Sequence, residues 1–160
     1  VKLVERAIKK CEHYLVVVGN GGEYKKEIEN YIDRHELGSR VRIISNVTHE
    51  DLPAFYQGSD LFCYPSHFEG FGIPIIEALF SKTPVVTSKG SVFPEAGGEH
   101  SLYIDPDSTQ DIAEAMERVL TDSELSYSMI ENGRNFVEKF HRSKTSEELF
   151  KVYRELSSSL

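Results

Sequence analysis

The sequence has little that would staple it, anchor it or bind it to a polyanion. Only two of its 160 residues are cysteine, Cys11 and Cys63. Single and far apart, they suggest neither a disulfide framework nor a cysteine-based metal cluster, and both are expected as buried, inert thiols. No run approaches the ~18 apolar residues of a membrane span. Residues 1–10 lack the charged-then-apolar order of a signal peptide, so the expected setting is reducing and cytoplasmic. Positive charge is short as well: 18 Lys and Arg against 26 Asp and Glu leave a formal charge of −8. That balance works against generic binding to nucleic acid or anionic lipid, so an anionic ligand must be held by a local device. The six histidines, His13, His35, His49, His67, His100 and His141, show no metal-ligand spacing, and no bound metal is expected. Internal repeats, low-complexity tracts and proline-rich linkers are missing, which leaves no domain boundary inside the chain.

What is present is an ordinary globular composition, 39% hydrophobic and 28% charged, enough for one domain that buries ~68–70% of its unfolded surface. Short β-branched or aromatic runs alternate with stretches of helical period, which predicts an α/β fold with a parallel sheet covered by helices. Five strands are expected, over 14–18, 41–44, 61–64, 84–87 and 102–104, each largely apolar and bounded by turn formers. Tyr24, Ile28, Tyr31, Ile32 and Leu37 form one helical stripe. A second stripe, Ile112, Ala115, Met116, Val119 and Leu120, follows Asp107, a candidate helix cap. Two more helices are expected, over 122–140 and 143–156, with 157–160 frayed. Residues 1–10 also read as a helix, whereas an alternating parallel fold opens with a strand; a first strand is therefore expected to be missing.

In open α/β sheets, ligands bind beyond the carboxyl ends of the strands, and the unusual residues fall in those loops. After the first strand comes Gly19-Asn20-Gly21-Gly22, and after the second Ser45-Asn46-Val47-Thr48. A full G-x-G-x-x-G fingerprint would need a small residue at Tyr24, so the first loop is either a tight turn or a ligand loop of another kind. Thr48 and Asp51 have capping-box spacing, and Asn46-Val47-Thr48, which also fits a glycosylation acceptor, is read as part of that cap. The richest segment runs from Pro65 to Glu77. Gly72 ahead of Pro74 predicts a helix start whose free N–H groups, at Gly72 and Ile73, form an anion site that needs no lysine. Glu77, expected in the first turn, can accept both hydroxyls of a vicinal diol such as a ribose, and Glu69 can flank the same ligand from the loop. The same residues have a plainer reading: Glu77 as a dipole-favoured glutamate, Glu69 as a solvated charge, and Phe68 and Phe71 as core plugs. His67 reads as a loop histidine with no paired acid, and Asp105-Pro106-Asp107 as a turn.

At Glu69-Gly70-Phe71-Gly72-Ile73-Pro74-Ile75-Ile76-Glu77-Ala78 the sequence resembles the retaining, nucleotide-sugar-dependent glycosyltransferases of group 1, which have the GT-B fold. The resemblance continues through Ser81-Lys82-Thr83-Pro84-Val85-Val86-Thr87-Ser88, Pro94-Glu95-Ala96-Gly97-Gly98 and Leu102-Tyr103-Ile104-Asp105-Pro106-Asp107. Upstream it includes Val17-Val18-Gly19-Asn20-Gly21, Val41-Arg42-Ile43-Ile44 and Tyr64-Pro65-Ser66. It implies a Rossmann-like donor-binding domain over residues 1–160, with the amino-terminal acceptor domain absent. On that resemblance Glu69 would meet the donor sugar near its anomeric carbon and is the candidate for catalysis, while Glu77 would bind the ribose. Gly70, Phe71, Gly72 and Ile73 would hold sugar and diphosphate, Gly19, Asn20 and Gly21 would lie near the phosphates, and Asn46 and Val47 beside the base. The donor would be a UDP-, GDP- or ADP-linked sugar, with no metal or other cofactor required, and the acceptor a glycan or lipid-linked molecule. Membrane contact, at the inner face, would come only through an intact enzyme. The resemblance also implies an Arg and a Lys against the diphosphate, which this chain lacks, so the domain alone is expected to be inactive. The alternatives are a sugar-nucleotide epimerase of similar architecture and a non-catalytic nucleotide-binding module.

Overall fold

In the computed structural model, which describes residues 13–158, all five expected strands form, with ends shifted by about a residue. They are β1 (Leu15–Val18), β2 (Val41–Ile44), β3 (Phe62–Tyr64), β4 (Val85–Ser88) and β5 (Leu102–Ile104). Between and after them come α1 (Glu23–Arg34), α2 (Leu52–Gln57), α3 (Ile73–Phe80), α4 (Phe93–Gly97), α5 (Thr109–Thr121), α6 (Ser123–Val137), a 3-10 turn (Glu138–Phe140) and α7 (Arg142–Ser158). The fourth strand starts after Pro84 because proline has no N–H for a ladder; its carbonyl still accepts from Phe62 N–H at 2.9 Å. The helix expected over 1–10, and Cys11 with it, lie outside the described residues.

Every strand pair is parallel, but the strands make two ladders, β1 with β2 and β3-β4-β5, with no pairing between β1 and β3. The expectation of a missing first strand falls outside the described residues.

The core is built around β4. As the middle strand of three it is buried at all four positions, as a parallel strand covered on both faces should be. Alternation sends Val85 and Val86 to opposite faces. Val85 packs with Ile75, Ala78, Leu79, Phe93 and Val137, and Val86 with Ile104, Ile112, Val119 and Met129. Helices α3 and α6 approach closely at Gly133, where an added Cβ would stand 2.7 Å from Leu79 Cδ2. Around β1 and β2 the cluster is small, with Ile32, Leu37 and Val41 buried among the described residues. Tyr24 does not join the stripe expected of it and is exposed, as are Val16 and Val18 on β1, at 45% and 41%.

Other local expectations change. Ser108, not Asp107, caps α5: its hydroxyl accepts from Asp111 N–H at 3.1 Å. Asp105 and Asp107 do form the expected turn, with Asp107 N–H on Asp105 Oδ1 at 3.1 Å. Asp122 caps α6 by accepting from Leu125 N–H at 2.9 Å. The capping box at Thr48 is instead a closed turn ahead of α2, whose N-cap position is Asp51: the Thr48 hydroxyl and N–H both donate to Asp51 Oδ2, at 2.7 and 3.1 Å. Where fraying was expected, α7 continues to Ser158, exposed along its whole length. Among the described residues no helix is long and apolar enough to cross a membrane.

Candidate functional site

The chain leaving β3 crosses the carboxyl edge of its sheet under tight control. Thr87 Oγ1, at the end of β4, donates to the Tyr64 carbonyl at 2.9 Å, and Ser88 Oγ donates to the Ser66 carbonyl at 2.5 Å. Glu69 is then gripped on one oxygen: Tyr64 Oη donates to Oε1 at 2.5 Å, and Ser66 Oγ lies 3.0 Å from the same atom. Its Oε2 has no partner among the described residues. Burial first, then the hydrogen bond to Glu69 and its charge, pushes the Tyr64 phenol up to about 12, so it remains a donor at neutral pH.

The loop ends at Gly72, which has φ 85° and ψ 38°, the left-handed region that favours glycine. A Cβ there would also press on Ala96 Cβ at 3.1 Å and Ile75 Cδ1 at 3.3 Å. This bend starts α3 with proline in its opening turn, and Ile75 N–H closes on the Gly72 carbonyl at 3.0 Å. The N–H groups of Gly72 and Ile73 have no acceptor among the described residues, the expected condition of a helix start open to an anion. Phe68 is 79% and Ile73 59% exposed, so Phe68 is no core plug. Phe71, 43% exposed, stands edge-on to Phe140 at 5.7 Å.

Glu77 is the fifth residue of α3, so the first-turn placement expected of it fails; no acid occupies that turn. Helix position therefore does not explain the glutamate, and a side chain holds it instead: Tyr56 Oη, from α2, donates to Glu77 Oε2 at 3.1 Å. Burial, joined by the charge of Glu77 and this hydrogen bond, raises the Tyr56 phenol well above its ordinary value.

The loops after β1 and β2 form a separate group. Asn46 N–H donates to Asn20 Oδ1 at 2.9 Å, and Ser45 Oγ to the Gly19 carbonyl at 3.3 Å. Asn46 has φ 62°, a conformation that Asn tolerates better than most side chains. Gly21 and half-buried Val47 flank this junction. Lys25, which sequence reasoning missed, donates to Ser45 Oγ at 2.9 Å; its place in the opening turns of α1, just after a glycine turn, was the available signal. No hydrogen bond among the described residues joins this group to Glu69, Gly72 or Glu77.

His67 does have a paired acid, contrary to expectation. Forty residues away in sequence, Asp107 brings Oδ1 to 2.9 Å from His67 Nε2, and Lys89 lies 3.3 Å from Asp105 Oδ2. The loops after β3, β4 and β5 are thereby tied together at the surface. Cys63, the described cysteine, is only partly exposed, and burial pushes its thiol up to about 12.

Parallel ladders flanked by helices define an α/β domain of the Rossmann-like type. The family model for group 1 glycosyl transferases matches residues 1–136, and the chain belongs to that family. It is 28% identical over 159 residues to an uncharacterized glycosyltransferase of Methanocaldococcus jannaschii, covering 98% of this chain and 45% of the relative. Among solved structures it is similar to the C-terminal domain of a group 1 family protein, LpcC, from Francisella tularensis, with TM-score 0.77 and 29% identity over 86% of this chain and 75% of that one. The fold is also that of Anabaena HepE, solved with UDP and glucose: TM-score 0.81, 23% identity, 98% of this chain and 44% of that one. The chain thus spans less than half the length of the M. jannaschii relative, and its fold is the Rossmann-like one of GT-B enzymes.

Proposed function

We propose that this chain is the donor-binding half of a longer retaining glycosyltransferase that moves a hexose from a nucleoside diphosphate sugar to a glycan or lipid-linked acceptor. One observation carries the reading: two glutamates, each held on one oxygen by a tyrosine hydroxyl, flank a helix start whose Gly72 and Ile73 N–H groups have no acceptor among the described residues. The N–H pair contributes a local anion site for the diphosphate, with no metal ion required. Glu77 takes the ribose diol, and Glu69 the sugar hydroxyls near the anomeric carbon through its open Oε2. Gly70 and Phe71 line the sugar, while Gly19, Asn20, Gly21, Asn46 and Val47 serve the phosphates and the base. Preorganised N–H dipoles aimed at the departing diphosphate lower the barrier because its charge grows as the glycosidic bond breaks. The acceptor is bound by a second half, and the enzyme works in the cytoplasm. The length covered in the M. jannaschii relative supports such a division.

The test is calorimetric titration of UDP, GDP and ADP, with and without glucose or mannose attached, into this chain and into the full-length enzyme. The expected result is selection of one donor by the full-length enzyme and feeble binding by this chain, because a charge-assisted contact is worth ~1.5–3 kcal/mol and the Arg and Lys that the resemblance implies against the diphosphate find no match in this sequence. Failure of the full-length enzyme to bind any of them overturns the reading.

A further inference from the structure

The two glutamates share more than a ligand. Tyr56, which donates to Glu77, packs edge-on against Phe62 with ring centroids 5.1 Å apart, and Phe62 stacks on Tyr64 at 5.6 Å. Tyr64 donates to Glu69. The order Glu77–Tyr56–Phe62–Tyr64–Glu69 is therefore one continuous aromatic wall with a hydroxyl at each end and a carboxylate on each hydroxyl. Its middle is fixed by packing: Tyr56 belongs to the buried core, and Phe62 and Tyr64 pack against it. Both ends are also tied through the backbone. Thr83 Oγ1 donates to the Tyr56 carbonyl at 2.7 Å and Thr87 Oγ1 to the Tyr64 carbonyl at 2.9 Å. Neither tyrosine lies within the Glu69–Glu77 segment, and neither is assigned a ligand contact in the function proposed above.

We propose that Tyr56 and Tyr64 are positioning residues, one for each carboxylate, and that the wall between them sets the separation of Glu69 and Glu77. The inference rests on the donor-binding reading and divides it in two: Tyr64 governs the sugar end of the donor, Tyr56 the nucleoside end. A carboxylate with one oxygen tied keeps the other oriented for a ligand hydroxyl, and lost orientation lowers affinity at that end alone.

The experiment uses the full-length enzyme with Tyr64→Phe and Tyr56→Phe, which keep the rings and remove only the hydroxyls. UDP and UDP-glucose, or the pair chosen by the titration above, are the probes. Tyr64→Phe is expected to weaken the nucleotide sugar about tenfold and leave the free diphosphate unchanged, since a hydrogen bond to a charged group is worth about that factor. Tyr56→Phe is expected to weaken both by the same factor. A spectroscopic arm needs no ligand: with 13C-labelled tyrosine, the Tyr64 Cζ resonance shifts on Glu69→Gln and stays put on Glu77→Gln, and the Tyr56 resonance does the reverse. Equal losses for both ligands in Tyr64→Phe, unchanged affinities in both variants, or tyrosine resonances indifferent to the glutamates would each overturn the proposal. If wild type binds neither probe, the donor-binding reading falls first and takes this one with it; if wild type binds and the variants match it, only the positioning role falls.

Discussion

The two ladders are made from the same kind of strand and meet very different surroundings. β4 is buried at four positions of four, whereas β1 alternates between half-buried and exposed and leaves Val16 and Val18 open. The difference is one of coverage, not of residue type: both strands are valine-rich, but β4 has a partner on each side and packed side chains on both faces, while among the described residues β1 pairs with β2 alone. Stability within a fold follows that density. Glu69 and Glu77 thus stand on the rigid part, and Asn20 and Asn46 on the part with the small core.

The sharpest way to break this comparison is a pair of identical truncations. Leu79→Ala, in the large cluster against Gly133, should cost ~3–5 kcal/mol, and Leu37→Ala, in the small one, ~2–3 kcal/mol, because the loss depends on how far the site can collapse. Urea unfolding of both variants checks this; equal losses would mean that the two parts are packed alike.

The next effect falls on the bend itself. Gly72→Ala places a side chain at φ 85° and drives its Cβ against Ala96. The backbone conformation alone is worth ~1–2 kcal/mol. The expected result is that loss in urea unfolding together with weaker diphosphate binding, whereas Gly38→Ala, which meets nothing within 4 Å and has no positive φ, should cost less. A silent Gly72→Ala would remove the case for a required glycine.

How much of this was legible in sequence follows the same division. Strand positions came from short apolar runs, whereas the division into two ladders was not read from the sequence. Gly72 and Pro74 announced the start of α3, since glycine and proline restrict the backbone through their own chemistry. What was missed needed contacts remote in sequence. Glu77 was placed one turn too early, so its dipole explanation fails, and its true partner Tyr56 stands 21 residues away. His67 was judged unpaired because Asp107 is 40 residues off. The five-residue α4 was overlooked for want of a periodic stripe, though a proline near its start resembles the signal used for α3.

A smaller effect sharpens one such correction. Ser108→Ala removes the hydroxyl on Asp111 N–H and should cost ~1 kcal/mol, the usual worth of an N-cap. Asp107→Ala should cost less than half of that, as the exposed partner of His67. Thermal unfolding of the two variants orders them; the reverse order would restore Asp107 as the cap.

The smallest effect is electrostatic and compares two exposed carboxylates at turns on either side of the ladder break. The hydroxyl and N–H of Thr48 hold Asp51 below its ordinary 3.8. The Asp107 N–H, aided by Lys89, does the same for Asp105. A folded-state value below the unfolded one stabilises the fold above the unfolded value, and that contribution is lost as pH falls through the lowered one. Thr48→Val, which removes the hydroxyl and keeps the N–H, should therefore lower the urea midpoint at pH 6, and the deficit should close as pH falls below 3.8. Asp105→Asn should behave the same way, since its amide cannot carry the charge that Lys89 and the Asp107 N–H favour. Both changes should be small, because neither carboxylate is buried and water screens most of the gain. A deficit that widened on acidification would reverse the sign and show that these carboxylates are strained, not stabilised, by their turns.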